Sequence, residues 1–289
     1  MEALAAERRS QVCLGLDPDP SALGPDSAPD ADRAGTAERA AAAVTEHCRS
    51  LIASAGPACV AVKPQLACFE RLGAPGWGAL TEVSRAAREA GLLVVADGKR
   101  GDVPVTAEAY GQALVGETQT PWGVVEGLCA DAFTANPLLG GDAIDPLVDA
   151  AAAAGAGVFL LVRTSNPGAA ALQDADLGGA PLRERLAELV AERASRLAGK
   201  SGLSGMGAVI GATAPEHLER LRELMPDSIF LLPGVGAQGG RVEDLGAALA
   251  PDRPASILVA AARSIAGADD PGAAAEQLRA ALWELAHDG

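Results

Sequence analysis

The sequence has few lysines, few histidines and no long run of basic residues. Of its 23 basic residues only Lys63, Lys99 and Lys200 are lysines, and the formal net charge is −15. So acidic a chain would repel nucleic acid and anionic membrane surfaces. No apolar run is long enough to span a bilayer, and the N-terminus lacks the apolar core of a signal peptide. We therefore predict a cytoplasmic protein that binds neither nucleic acid nor membranes.

Cysteine and histidine are also arranged unfavourably for a disulfide framework or a metal site. The five cysteines are odd in number and scattered, and none forms a Cys-x-x-Cys pair. Because most lie in or beside apolar stretches, we expect buried, reduced thiols. The three histidines (His47, His217 and His287) fall in predicted helices, where we expect them to face solvent. A metal cluster or a His-based triad is therefore disfavoured.

Eight apolar segments alternate with helical patterns along the chain, and each has the composition of a buried parallel strand. They are residues 11–17, 58–65, 92–97, 128–136, 157–165, 206–213, 228–236 and 256–264. Eight is the number of strands that closes a (β/α)8 TIM barrel, so we predict one such domain over residues 1–289. Residues 1–10 are predicted to form an N-terminal capping helix, and the Pro-, Asp- and Gly-rich residues 18–35 an irregular loop.

Polar residues end nearly every predicted strand. In a TIM barrel all strand C-termini meet at one rim, and active sites lie there. Two of the three lysines fall at this rim, and lysine, unlike arginine, can release a proton near neutral pH. The polar strand-end residues are Asp17, Lys63, Asp97, Lys99, Asn136, Ser165, Thr213, Gln238 and Arg263.

The most highly charged strand end has the spacing Asp-x-Lys-x-x-Asp, at Asp97, Lys99 and Asp102, with Lys63 on the neighbouring strand. Alternating charges in a partly buried site favour the charged form of each group. Such a site could repel a substrate carboxylate through Asp97 while Lys99 protonates the carbon that loses it. A surface cluster of ion pairs is the alternative explanation.

A glycine-rich turn, PGVGAQGG at residues 233–240, follows the seventh predicted strand and contains Gln238 and Gly239. Its backbone N–H groups could face an anion, with Arg263 on the next strand as counter-charge, and TIM barrels often bind phosphate at this place. The turn also matches the Gly-x-Gly-x-x-Gly dinucleotide motif. That interpretation is disfavoured because the turn comes late and no carboxylate ends the next strand about 20 residues on.

The sequence resembles the orotidine 5′-phosphate decarboxylase family, in its longer bacterial form, over about residues 11–265. The matching segments are CLGLDP, AVKPQ, VADGKRGDV, TANPLLG, RTSNPG, VIGAT, LLPGVGAQGG and ARSI. The resemblance implies a homodimer of TIM barrels with shared active sites. It also implies conversion of orotidine 5′-monophosphate (OMP) to UMP and CO2 without metal or cofactor.

Residue roles follow from the resemblance motif by motif. Lys63, Asp97, Lys99 and Asp102 resemble the family's charged tetrad, with Lys99 as the proton donor to C6 of the pyrimidine. Asp102 and Thr106 would reach into the partner subunit's site. The other implied substrate contacts are Asp17 and Lys63 at the ribose, Ser165 at the pyrimidine, Gln238 and Arg263 at the phosphate, and Asn136, Asn166 and Gly239 elsewhere on the nucleotide.

Three positions depart from the family pattern: Gly98 where alanine is usual, Leu138 where tyrosine usually follows Asn-Pro, and Ala262 where a small polar residue often precedes the arginine. They leave open a paralogue that acts on a modified pyrimidine nucleotide. A magnesium-dependent sugar-phosphate decarboxylase or aldolase of the same superfamily is a second alternative, which would need an acidic metal ligand from a neighbouring strand. A catalytically silent nucleotide-binding protein is the third, and the intact tetrad argues against it.

Overall fold

The computed structural model describes residues 1–24, 27 and 35–287. Its strands, numbered in chain order, are β1 (Val12–Leu16), β2 (Ala61–Pro64), β3 (Leu93–Arg100), β4 (Glu117–Thr120), β5 (Gly123–Glu126), β6 (Ala132–Ala135), β7 (Gly157–Arg163), β8 (Ser204–Ile210), β9 (Ser228–Pro233) and β10 (Ile257–Ala261). Eight of them close a parallel barrel in the order β1-β10-β9-β8-β7-β6-β3-β2, while β4 and β5 form a separate antiparallel hairpin. The predicted TIM barrel is confirmed.

Helices connect the barrel strands and cover the outside of the barrel. They are α1 (Glu2–Arg8), α2 (Thr36–Ala55), α3 (Leu66–Glu70), α4 (Ala74–Glu89), α5 (Pro104–Leu114), α6 (Gly141–Ala154), α7 (Ala169–Gln173), α8 (Leu182–Arg193), α9 (Leu218–Leu224), α10 (Arg263–Ala266) and α11 (Pro271–Leu285). Most of the loop predicted over residues 18–35 lies outside the described residues. A short 3-10 turn at Pro20–Ala22 falls within them.

The helix α2 illustrates why these segments are helical and how they pack. Its residues include many alanines, which have the highest helix propensity. Buried Val44, Cys48, Leu51 and Ile52 recur at the three- and four-residue spacing of one helix face. This face joins the main apolar layer between the helices and the barrel.

Alternation along the strands divides the barrel into an outer and an inner layer. On β1, Val12 and Leu14 belong to the outer apolar layer, whereas Cys13 lies in the inner one. Ala61, Val95 and Ala132, on three consecutive barrel strands, also belong to the inner layer. Because side chains repeat on one face every two residues, the next inward positions on these strands are residues 63, 97 and 134. All three are polar and buried, so the inner layer changes from apolar to polar towards the strand C-termini.

The opposite end of the barrel contains another buried cation, Arg222 of α9. Its guanidinium donates hydrogen bonds to the backbone carbonyls of Met225, Ser228, Ala248 and Ser256 at 2.7–3.2 Å. The guanidinium carbon also lies 3.7 Å from the ring centroid of Phe230. These bonds tie α9 to the segments at the start of β9 and β10.

Two expectations about the rest of the chain need correction. The five cysteines are free, but Cys129 is exposed rather than buried and Cys68 is only partly buried. His47 and His217 are half-buried rather than solvent-facing. Burial lowers the pKa of both histidines, and the charge of Arg183 adds to this effect at His217. No helix among the described residues combines the length and hydropathy needed to cross a membrane.

Candidate active site

Three charged side chains meet at the C-terminal ends of β2 and β3. The Asp97 carboxylate accepts a hydrogen bond from Lys63 Nζ at Oδ2 and another from Lys99 Nζ at Oδ1, each at 2.6 Å. Lys63 and Asp97 are buried, whereas the Lys99 side chain is 43% exposed. The array therefore holds one lysine inside the barrel and presents the other to any ligand at the rim.

The charges of this array stabilise one another. Burial alone would raise the pKa of Asp97, but the charges and hydrogen bonds of Lys63 and Lys99 outweigh it and lower the pKa to about 2. Burial alone would lower the pKa of Lys63, yet the negative charges of Asp97 and Asp17 raise it above its usual value. Asp97 is therefore an anion and Lys63 a cation at neutral pH.

The backbone of β3 is irregular where it carries the array. Its pairing with β6 changes register between Ala96 and Arg100, and Lys99 has a φ of 48°, in the left-handed region that side chains rarely adopt. Such a residue costs about 1 kcal/mol or more unless its surroundings enforce it. Gly98 fits beside this bend, since a Cβ there would lie 2.7 Å from Leu66 Cδ1.

A cavity of about 240 Å³ opens next to the array, at the ends of β1, β9 and β10. Four of its polar lining residues are predicted site residues: Asp17, Lys63, Gln238 and Arg263. Because Lys63 both lines the cavity and pairs with Asp97, the cavity and the array form one continuous site. The structure therefore brings the predicted ribose and phosphate positions together with Lys63, Asp97 and Lys99 of the predicted catalytic set.

The glycine-rich turn closes one side of this cavity. Gly234, Gly236 and Gly239 have φ values of 105°, 74° and 91°, a conformation that glycine adopts without strain. Gly234, Ala237 and Gln238 line the cavity together with Arg263. Among the described residues, Arg263 has no carboxylate partner within 4 Å. The turn and this cation could therefore receive an anionic group.

Within the residues that the structure describes, the other predicted site residues do not hydrogen-bond to the array, and several of them bond to neighbouring residues of the chain. Asp102 Oδ1 accepts from the Val103 N–H at 2.8 Å, and in the described part of the chain Asp102 forms no ion pair with Lys99. Thr106 is exposed on the first turn of α5. Asn136 Oδ1 accepts from the Leu138 N–H, and Asn166 Oδ1 accepts from Thr164 Oγ1. Ser165 is half-buried, and its carbonyl accepts from Thr213 Oγ1 at 3.3 Å.

An ion-pair network supports the loop that carries Ser165 and Asn166. Asp174, just after α7, accepts from Arg163 Nε and Arg183 Nη1, both at 2.9 Å. Burial would raise the pKa of Asp174, but the hydrogen bonds and charges of these arginines lower it. Arg163 ends β7 and Arg183 lies in α8, so the network anchors the intervening loop at both of its ends.

Two residues of the array were missed by sequence reasoning. Gln65 Nε2 donates to Asp97 Oδ2 at 3.2 Å, and Thr134 Oγ1 donates to Asp97 Oδ1 at 2.8 Å. Thr134 also accepts a hydrogen bond from the Lys99 N–H at 2.9 Å. Period-two alternation from Ala132 would have placed Thr134 inside the barrel, next to the charged strand end of β3.

Comparison with known proteins identifies the family. The family model described as Orotidine 5'-phosphate decarboxylase / HUMPS family matches residues 10–278. The chain is 42% identical to the orotidine 5′-phosphate decarboxylase of Rhodopirellula baltica over 243 residues, covering 83% of this chain and 78% of that protein. It is 39% identical to that of Deinococcus radiodurans over 285 residues, covering 96% and 92%.

A solved structure agrees with these matches. The structure of Leishmania donovani OMP decarboxylase is similar with a TM-score of 0.74 at 36% identity, covering 98% of each chain. The resemblance inferred from the sequence motifs is thereby confirmed. The chain belongs to the orotidine 5′-phosphate decarboxylase / HUMPS family.

Proposed function

We propose that this chain decarboxylates orotidine 5′-monophosphate to UMP and CO2, the activity for which its relatives are named. The observation that carries the proposal is the continuity of the Lys63–Asp97–Lys99 array with a cavity that contains Arg263 and the glycine-rich turn. A nucleotide with a phosphate at one end and a carboxylate on its base would place one anion at each part of this site.

The phosphate would bind at the turn, where Gln238, Gly239 and Arg263 offer hydrogen-bond donors and a positive charge. The ribose hydroxyls would contact Asp17 and Lys63, which line the same cavity. Ser165, Asn136 and Asn166 stand at the rim, on the loops that follow β6 and β7, and would contact the nucleotide from that side. Binding the phosphate far from the reacting carbon supplies energy that holds the base against the array.

Asp97 and Lys99 would carry the chemistry. The ionised Asp97 would repel the substrate carboxylate, and this repulsion disappears as the C–C bond breaks and neutral CO2 leaves. The electron pair of that bond remains on C6, beside the Lys99 ammonium, which stabilises it and donates a proton to form UMP. The exposed side of Lys99 then regains a proton from solvent. No step in this scheme uses a metal or a cofactor.

The active unit would be a homodimer in which each subunit completes the other's site. Asp102 has no bond to Lys99 within the described chain, and it adjoins the exposed start of α5, where Val103 is 55% and Val105 82% exposed. A second copy packed on this surface would cover the two valines and bring its Asp102 and Thr106 to the neighbouring array.

The free cysteines fit a reducing compartment, and we assign the dimer to the cytoplasm.

The direct test incubates the purified protein with OMP, with and without EDTA, and measures UMP. We expect UMP formation that EDTA does not change. Turnover abolished by EDTA would favour the magnesium-dependent alternative, and binding without turnover the catalytically silent one. Turnover of a base-modified nucleotide in place of OMP would favour the specialised paralogue that the departures at Gly98, Leu138 and Ala262 leave open.

Mixing two inactive variants tests the shared site. In a heterodimer of Lys99→Ala and Asp102→Ala subunits, one of the two sites combines an intact Lys99 with the partner's intact Asp102. Random exchange of subunits makes about half of the dimers heterodimers, and each heterodimer has one working site of its two. The mixture should therefore recover about a quarter of the wild-type activity. If the mixture stays as inactive as its components after subunit exchange is verified, Asp102 acts within its own subunit or not at all.

A further inference from the structure

Thr134 lies at the centre of the charged array without carrying a charge itself. It occupies an inward position on β6, two residues after Ala132 of the inner apolar layer, and is 1% exposed. From there it contacts two parts of β3, the side chain of Asp97 and the backbone of Lys99. No other described side chain hydrogen-bonds to both of these residues.

The direction of both hydrogen bonds is fixed by their partners. The backbone N–H of Lys99 can only donate, so Thr134 Oγ1 accepts from it at 2.9 Å. The ionised Asp97 carboxylate can only accept, so the same hydroxyl donates to its Oδ1 at 2.8 Å. A single hydroxyl therefore joins the carboxylate to the main chain of the proton donor.

The bond from the Lys99 N–H falls where the backbone is strained. Lys99 is in the left-handed region with a φ of 48°, and such conformations persist only when surrounding contacts enforce them. Each oxygen of Asp97 also receives one lysine and one neutral donor: Lys99 and Thr134 at Oδ1, Lys63 and Gln65 at Oδ2. Loss of Thr134 would remove the neutral donor at Oδ1 and leave the Lys99 N–H without a partner.

We propose that Thr134 is a positioning residue for the decarboxylation, whose hydroxyl holds the Asp97 carboxylate and the Lys99 backbone in the geometry that the reaction needs. This inference rests on the proposed function. The hydroxyl touches no reacting atom and acts only through its two neighbours. A methyl group in its place would keep the packing volume and lose both hydrogen bonds, whereas serine would keep the hydroxyl.

The kinetic test compares Thr134→Val with Thr134→Ser, using OMP as substrate. We expect Thr134→Val to lower kcat by about 10- to 100-fold, because small misplacements of catalytic groups have effects of that size. KM should change less than kcat, since the phosphate and ribose contacts are untouched. Thr134→Ser should recover most of the lost kcat. Thr45→Val is the matched control, because it removes a buried threonine hydroxyl that bonds only within α2.

A second readout does not depend on turnover. The titratable groups that face Asp97 are Lys63 of β2 and Lys99 of β3, with Asp17 and Cys13 beyond Lys63 on the β1 side. Thr134→Val leaves all of them in place and removes one donor to the charged carboxylate, so the Asp97 pKa should rise. Carbon-13 NMR of the Asp97 carboxyl group measures this pKa, which should be unchanged in Thr45→Val and nearly unchanged in Thr134→Ser.

The outcomes separate this inference from the proposed function. If the wild-type protein does not convert OMP, the proposed function fails, and the NMR titration still decides whether Thr134 controls Asp97. If Thr134→Val keeps wild-type kcat and a wild-type Asp97 pKa, the inference is wrong. It is equally wrong if Thr134→Ser is as impaired as Thr134→Val, because the hydroxyl would then be irrelevant.

Discussion

Lys63 and Arg222 are buried cations at opposite ends of the barrel, and they are satisfied in different ways. Lys63 at the C-terminal rim pairs with the Asp97 carboxylate, whereas Arg222 at the opposite end is surrounded by backbone carbonyls. Burial favours the neutral form of both groups. At Arg222 it lowers the pKa to about 10, while at Lys63 the charges of Asp97 and Asp17 reverse its effect and raise the pKa.

We interpret this difference as the one between a structural cation, Arg222, and a proposed functional cation, Lys63. Backbone carbonyls accept hydrogen bonds from Arg222, and its planar guanidinium ties several segments together while it remains buried. Lys63 pairs with Asp97, which also pairs with the half-exposed Lys99, and Lys63 itself lines a cavity. A charged group that borders an open site can interact with a ligand, whereas a charge enclosed away from any such opening cannot.

Replacing Lys63 at the rim should cause the largest loss of stability. Lys63→Met leaves the buried Asp97 with only one cationic partner, and breaking a buried ion pair from one side costs about 3–5 kcal/mol. We expect a loss of this size in the free energy of unfolding, together with a raised Asp97 pKa and severe loss of turnover. Denaturant unfolding and OMP assays measure these changes. Unchanged stability would contradict the description of Lys63 and Asp97 as a tightly coupled pair.

At the other end of the barrel, Arg222→Met should lower stability without changing the chemistry. It leaves several buried carbonyls without donors, and we expect a loss of about 3 kcal/mol in the free energy of unfolding. The kcat of the folded fraction should match the wild type. Arg220→Met is the control, because Arg220 is exposed on the same helix and its replacement should cost less than about 0.5 kcal/mol. If Arg222→Met lowers kcat without lowering stability, the assignment of a purely structural role to Arg222 is wrong.

The smallest expected effect is in the acid dependence of stability. Asp97 has a lowered pKa in the folded protein, so its contribution is fully present above about pH 4 and is lost as the pH falls through about 2. The wild type should lose about 2 kcal/mol of unfolding free energy through this group over that range. Asp97→Asn should remove this part of the pH dependence, and Asp145→Asn, at an exposed ion pair, should remove less. If the two variants lose stability identically as the pH falls, Asp97 contributes no more to the acid dependence of stability than Asp145 does.

The sequence predicted the barrel and the charged rim because both depend on short-range patterns. Continuous apolar strands mark a parallel barrel, and scarce lysines at two strand ends marked the array. The β4–β5 hairpin was missed because its side chains are mostly exposed on both faces, Trp122 included, so no hydrophobic alternation indicates it. Alternation from Ala132 places Thr134 inside the barrel, but its contacts with Asp97 and Lys99 depend on the register between β3 and β6, which a single strand does not encode.

The local bonds of Asn136 and Asp102 also depend on three-dimensional structure. Asn136 caps the turn that begins at Pro137, and Asp102 accepts from the next backbone N–H. Sequence motifs suggested substrate or partner contacts for both residues, and these roles stay predictions.

The central claim is that the rim carries the chemistry through Lys99, and one variant tests it most directly. Lys99→Ala removes the proposed proton donor but leaves Lys63, Arg263 and the glycine-rich turn in place. The measurement is kcat for OMP together with the dissociation constant for UMP. We predict that kcat falls by about 100- to 10,000-fold, the usual contribution of a general acid, while UMP affinity changes only a few-fold. A Lys99→Ala variant with near-wild-type turnover would contradict the claim.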